Sequence, residues 1–261
     1  MSGEIPEISG DVIAISDPGE RDRQSHLKGD RIVIAFGNLV AWAFPILMLA
    51  IVSQVILRKA GFNQAWLDDA QWWIYGFAMV TGFAYAITTN SHVRVDIFHA
   101  NYSPARKARI ECFGLGWLLL PFLIMMTDVL FHYAWSSVLA REGSDSPNGL
   151  HGLYILKASL PLLFGLAILA TVSILMRHLV QLAPVRLWTL LVAMLPGAIF
   201  AAERTIYYVL WWGVRLTNAG IKPKRISKEP IFEWTTWMGA AVVLTLILLG
   251  WLMARRKGAE E

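Results

Sequence analysis

The chain has 261 residues, of which 56% are hydrophobic and 16% charged, with a formal net charge of +4 and a mean hydropathy of +0.50. Soluble domains carry about 25% charged residues, so this composition excludes a disordered chain, a nucleic-acid-binding domain and a small disulfide scaffold. One cysteine, Cys112, cannot form an intrachain disulfide, and the surplus of Lys and Arg reads first as the positive-inside bias of a membrane protein.

Residues 1–30 are polar and mixed in charge. They lack the apolar core of a cleavable signal peptide and read as a disordered cytoplasmic tail. A spanning helix needs about 20 mostly apolar residues. The first candidate is 32–57, free of charge and ending on Arg58 and Lys59; the second is 72–89. The third, 110–135, holds one acid, Asp128, and the fourth, 153–176, stops at Arg177 and His178. The stretch 184–214 is interrupted by Glu203 and Arg204. It forms either one long tilted helix, with that pair bonded to each other, or a short span followed by an interfacial segment. The last candidate, 231–254, ends on Arg255, Arg256 and Lys257. The expectation is an all-α integral membrane protein of about six spans, four in residues 31–180 and two in a C-terminal extension, 181–261.

Most basic residues then fall on one side of the membrane, which places both termini in the cytoplasm. Trp66, Trp72, Trp73, Trp135, Trp211, Trp212, Trp234 and Trp237 cluster at the opposite interface. The loop carrying Arg215, Lys222, Lys224, Arg225 and Lys228 breaks the charge rule, because six crossings would put it on the outer side; if it lies inside, 184–214 does not cross. Lipid headgroups are one contact for it.

The densest polar signal follows the second span, where His92, Arg94 and Asp96 alternate with Val93, Val95 and Ile97. An extended backbone puts the three polar residues on one face. A helix makes neighbours of His92 and Asp96 only. A basic flank of the membrane is the plainer reading of both. Next, Ser103 suits an N-cap before Pro104, starting a short interfacial helix. Arg106, Lys107 and Arg109 face water or lipid phosphate there, and Glu111 pairs with one of them. Asp128 lies inside the third span with His132 one turn later. Such groups are functional candidates, and a mutual pair in a hydrated or protein-covered spot explains them equally well. Residues 144–149 carry turn chemistry and form an ordered outer turn.

No phosphate loop, paired-cysteine metal spacing or nucleophile elbow is present, so no enzyme activity and no cofactor are expected. A haem-binding subunit needs facing histidines at equal depth, and no histidine is central in a span. No internal repeat marks a self-contained secondary transporter.

The segment His92-Val93-Arg94-Val95-Asp96-Ile97-Phe98 carries a further signal, together with Gln71-Trp72-Trp73, the basic stretch Ser103 to Glu111, Gly114, Pro121, the turn Ser144 to Leu150, Lys157 and Pro161. In this order they resemble the small, Q-type membrane subunit of tripartite ATP-independent periplasmic (TRAP) transporters, within it the mannitol/chloroaromatic-compound group. The resemblance covers about 31–180; the extension departs from the usual four spans. It implies a scaffold subunit in a bacterial inner membrane, paired with a large permease subunit that carries the substrate and sodium sites. A periplasmic binding protein would deliver the substrate, usually an organic acid. His92, Arg94 and Asp96, with Arg106, Arg109 and Glu111, would organise the cytoplasmic turn and its contact with the large subunit. Lys222, Lys224, Arg225 and Lys228 would meet an acidic face of the binding protein or lipid. The alternative is a self-contained channel or transporter, which would need its own polar path.

Overall fold

In lipid a backbone must satisfy its own hydrogen bonds, which leaves long apolar runs the helix. The structure is a computed structural model that describes residues 23–91, 101–218 and 220–257, and every regular element among them is helical. Helices α1 (Lys28–Ala41) and α2 (Ala43–Lys59) form one long element interrupted at Trp42. Pro45, with no N–H to offer the carbonyl one turn before it, accounts for the interruption. Helix α3 (Ala65–Thr89) returns and ends on Asn90, whose φ of 55° is the left-handed geometry asparagine tolerates at a helix C-terminus.

Helix α4 (Pro104–Phe113) starts after Ser103 as expected. It runs through a π-helical turn, Gly114–Leu119, into α5 (Leu120–Ala140). The expected arm helix is thus the opening of a 37-residue helix. Gly152, at a φ of 122° that side chains disfavour, turns the chain into α6 (Leu153–Val180), which continues through Pro161. The C-terminal part comprises α7 (Leu187–Ala193), α8 (Leu195–Thr217), the short α9 (Pro223–Ile226) and α10 (Thr235–Lys257).

Six spans do not emerge outright. Among the described residues four helices are long and apolar enough to cross a membrane, or five if α7 and α8 count as one broken span. Helix α3 has the length, 25 residues, but Asp68, Asp69, Gln71 and several Thr and Tyr side chains dilute its apolar character. Residues 184–214 are not one tilted helix, because α7 and α8 meet at 98°. Pro196 in the first turn of α8 cannot bond to the Val192 carbonyl. The indole N–H of Trp117 donates to that carbonyl instead, at 3.3 Å.

The core lies where α1, α3, the π turn, α5 and α6 converge, around Val33, Ala84, Leu115, Leu123, Ala167, Ala170 and Leu175. Small residues let helices approach closely, as in membrane packing generally. Gly29 abuts Ser173, Gly239 of α10 abuts the backbone of Glu203 in α8, and Gly250 abuts Trp188 in α7. Helix α10 therefore packs against both arms of the bend, its first half on α8 at Glu203 and its second half on α7 at Trp188. Residues 23–30, expected to belong to a disordered tail, are folded in part: Arg23–Ser25 is a 3-10 turn, α1 begins at Lys28, and His26 and Asp30 are buried. Asp30 is held by Arg177, a partner distant in sequence.

Candidate functional site

The most concentrated chemistry inside the helices lies between α5 and α8. Asp128 and His132 are one turn apart on α5, and Arg204 and Tyr208 are one turn apart on α8. The two pairs face each other. The Tyr208 hydroxyl donates to Asp128 Oδ1. His132 Nε2 lies 2.8 Å from the same hydroxyl. Tyr208 has one hydrogen and gives it to Asp128, so Nε2 is the donor to Tyr208. Arg204 Nη1 is 3.8 Å from Asp128 Oδ2. The same guanidinium bonds to Glu203, through Nε at 3.2 Å and through Nη2. Its face lies 4.7 Å from the Tyr207 ring centre.

Asp128 and His132 therefore do not pair directly; Tyr208 stands between them and Arg204 is the counter-charge. The expected Glu203–Arg204 bond is present. The sequence alone does not mark Tyr208 and Arg204 as the partners of Asp128 and His132. Their signal in the sequence is the repeated four-residue spacing, 128/132 and 204/208, at comparable distances from the helix ends.

A second polar junction closes the opposite end of the bundle. Asp30 is fully buried, and its Oδ2 accepts from the Leu27 N–H at 2.9 Å. The same oxygen lies 3.5 Å from Arg177 Nε. Arg177 Nη2 donates to the Thr88 carbonyl at 2.7 Å. One guanidinium thus joins α1, α3 and α6. A cavity of about 340 Å³ opens beside it, lined in part by Ser25, Asn90, Arg177 and Gln181.

The outer turn is ordered as expected. Ser144 N–H donates to the Leu150 carbonyl at 3.1 Å, and Leu150 N–H donates to Asp69 Oδ2 of α3 at 2.9 Å. Lys157 Nζ lies 2.5 Å from Glu142 Oε1 and 4.4 Å from the Tyr133 ring centre. The lysine holds the Glu142 carboxyl below the usual carboxylate range.

The other expected residues divide three ways. His92, Arg94 and Asp96 lie outside the described residues. Arg106 is exposed and sits over the Tyr102 ring at 4.1 Å; Arg109 is exposed, and Glu111 is half-buried beside Asn90 and Phe83 in a crevice between α3 and the π turn. Lys222, Lys224, Arg225 and Lys228 are all exposed around α9, while Arg215 turns back to donate to the Ile221 carbonyl at 3.1 Å.

Comparison with curated proteins and with solved structures finds no match. The scan against family models does: residues 47–182, just over half of the chain, match the DctQ component of tripartite ATP-independent periplasmic transporters. That stretch begins within α2 and ends just after α6, leaving α7 to α10 outside it. A membrane-type helical bundle in which this match spans α3 to α6 makes the chain a member of the DctQ family, the small membrane component of TRAP transporters.

Proposed function

We propose that the chain is the scaffold subunit of a sodium-coupled TRAP importer of organic acids in a bacterial inner membrane, with both termini in the cytoplasm. In this reading a large permease subunit carries the substrate and sodium sites, and a periplasmic binding protein delivers the substrate. The family match carries the proposal. The use of the polar groups supports it: Arg177, Asp69, Lys157 and Arg204 each join one part of this chain to another. The apolar flank fits a structural partner as well. Ile46, Met48, Leu49, Val52 and Ile56 of α2 are exposed, a surface for lipid and for the large subunit.

His92, Arg94 and Asp96 would shape the turn after α3 and its contact with α4 or the large subunit. The basic patch Lys222, Lys224, Arg225 and Lys228 would attract an acidic face of the binding protein or lipid headgroups, more strongly at low salt. Co-expression with the large subunit of the same system and affinity purification test the reading. Wild type brings the large subunit with it, and Arg94→Ala or Asp96→Ala lowers the yield of complex while the variant still inserts. A chain that purifies alone and transports by itself would replace this reading with that of a self-contained transporter.

A further inference from the structure

The polar cluster between α5 and α8 does not balance in charge. Fully ionised, Asp128 and Glu203 carry two negative charges and Arg204 one positive charge. An uncompensated carboxylate is expensive within a membrane-spanning segment. Among the described residues no further cation is paired with the cluster: α9, which packs against α8, carries Lys224 and Arg225, both exposed and neither paired with Asp128 or Glu203, and Glu233 of the turn Pro230–Trp234 is exposed as well. The π turn Gly114–Leu119 has no titratable group, and α10 has none before Arg255. On α6, Lys157 is occupied by Glu142 and the Tyr133 ring. Of the remaining titratable groups on α8, Tyr207 packs against Phe232 and Arg215 binds the Ile221 carbonyl. The group that can complete the charge is His132, already hydrogen-bonded into the cluster.

We propose that His132, Tyr208 and Asp128 form a proton-binding site, which holds one proton beyond the Glu203–Arg204 pair and thereby secures α8 to α5. His132 is exposed, about 12 Å from the end of α5 at 1.5 Å per residue, and is the entry point. A proton taken up at Nδ1 makes the imidazolium, whose Nε2–H donates to Tyr208. If that hydrogen passes to the Tyr208 oxygen and the Tyr208 hydrogen passes to Asp128 Oδ1, the imidazole returns to neutral and the carboxylate becomes the acid. One proton enters, no other group changes charge, and the cluster is neutral in either arrangement. Loss of the proton leaves one negative charge between α5 and α8. The site links the DctQ-matched helices to the extension, so its state governs how firmly the extension is held.

The test uses the full chain in lipid nanodiscs, comparing thermal unfolding and infrared spectra from mildly acidic to mildly alkaline pH. Wild type is expected to lose thermal stability as pH rises, and the band of the bound proton, protonated carboxyl or imidazolium according to which group holds it, is expected to fade over the same range. Asp128→Asn, which needs no proton for neutrality, is expected to lose both the alkaline decline and the band. Tyr208→Phe, which separates His132 from Asp128, is expected to move the midpoint of the band's titration. Should Asp128→Asn fail to fold, the wild-type band and the Tyr208→Phe midpoint still decide. Parallel stability curves in wild type and Asp128→Asn, the absence of a titrating band, or an unmoved midpoint would overturn the proposal. So would an alkaline decline reversed by sodium and not by choline, since a metal cation would then supply the charge.

Discussion

Gly116 of the π turn and Ala193 at the end of α7 meet backbone to backbone: a Cβ added to Gly116 would stand 2.0 Å from the Ala193 carbonyl oxygen. The contact is where the DctQ-matched helices receive the bend between α7 and α8. It is rigid on both sides, because the obstructing atom belongs to the main chain. Gly116→Ala must therefore push the two segments apart. Overpacking of this kind costs about 1–3 kcal/mol, and thermal unfolding of the purified chain should show the loss. Gly165, inside α6 with nothing within 4 Å of an added Cβ, is the control. Gly165→Ala should be neutral or stabilising by about 0.5–1 kcal/mol. Equal effects at the two sites would contradict the close contact.

Arg177 is the junction of α1, α3 and α6, and its removal strands two groups at once. Arg177→Ala leaves the Asp30 carboxylate buried with only the Leu27 N–H, and it frees the Thr88 carbonyl. Breaking a buried pair from one side costs roughly 3–5 kcal/mol. Arg177→Lys should recover only part of this, because an ammonium cannot reach Asp30 and the Thr88 carbonyl with the same planar fork. The double variant Asp30→Asn/Arg177→Ala should be less damaged than Arg177→Ala alone. Detergent-induced unfolding of the three variants checks the order, and a double variant no more stable than Arg177→Ala would count against the pair.

The Glu142–Lys157 contact predicts an acid-sensitive outer turn. Lys157 holds the Glu142 carboxyl below its ordinary range. The folded chain thus binds fewer protons there than the unfolded chain, and the contribution is present above the ordinary carboxylate pKa. It is lost as pH falls through the lowered folded value. Limited proteolysis in the 141–152 loop should accelerate on acidification in wild type. In Glu142→Gln the rate should be higher already near neutrality and change little with acid. An unchanged acid response in that variant would remove Glu142 as its origin.

The helices were legible where the physics is local, and less so where partners are distant. Apolar runs and terminal charges give α6 and α10 to within a few residues and Ser103-Pro104 marks the start of α4, whereas the run 32–57 covers α1 and α2 without showing the break at Trp42 and the run 110–135 begins inside α4 and stops short of the end of α5. The bend at Met194 was not legible, since Pro196 reads as an ordinary first-turn proline until Trp117, far back in the chain, is seen to take the Val192 carbonyl. Asp30 looked like a tail residue because only folding brings Arg177 to it. Asp128 was visible as an odd acid in a span, but its partners lie 76 and 80 residues later on α8 and cannot be read from α5 alone.

The basic patch around α9 offers a direct test of topology. Ser227 is exposed beside Lys228, and the single native cysteine, Cys112, is buried. If six segments cross and both termini are cytoplasmic, as proposed, Ser227→Cys should react with a membrane-impermeant maleimide in intact cells whose outer membrane is permeabilised. Labelling only after lysis would place the patch on the cytoplasmic side and remove the binding protein as its partner.

Uptake by purified components tests whether this chain is a scaffold that transports only with its partners. Proteoliposomes are made with this chain, the large permease subunit and the binding protein, under an inward sodium gradient, and each protein is omitted in turn. Substrate should accumulate with all three, fail to accumulate when any one is left out, and never accumulate with this chain alone. Full uptake by the large subunit and binding protein without this chain, or uptake by this chain alone, would contradict the scaffold role.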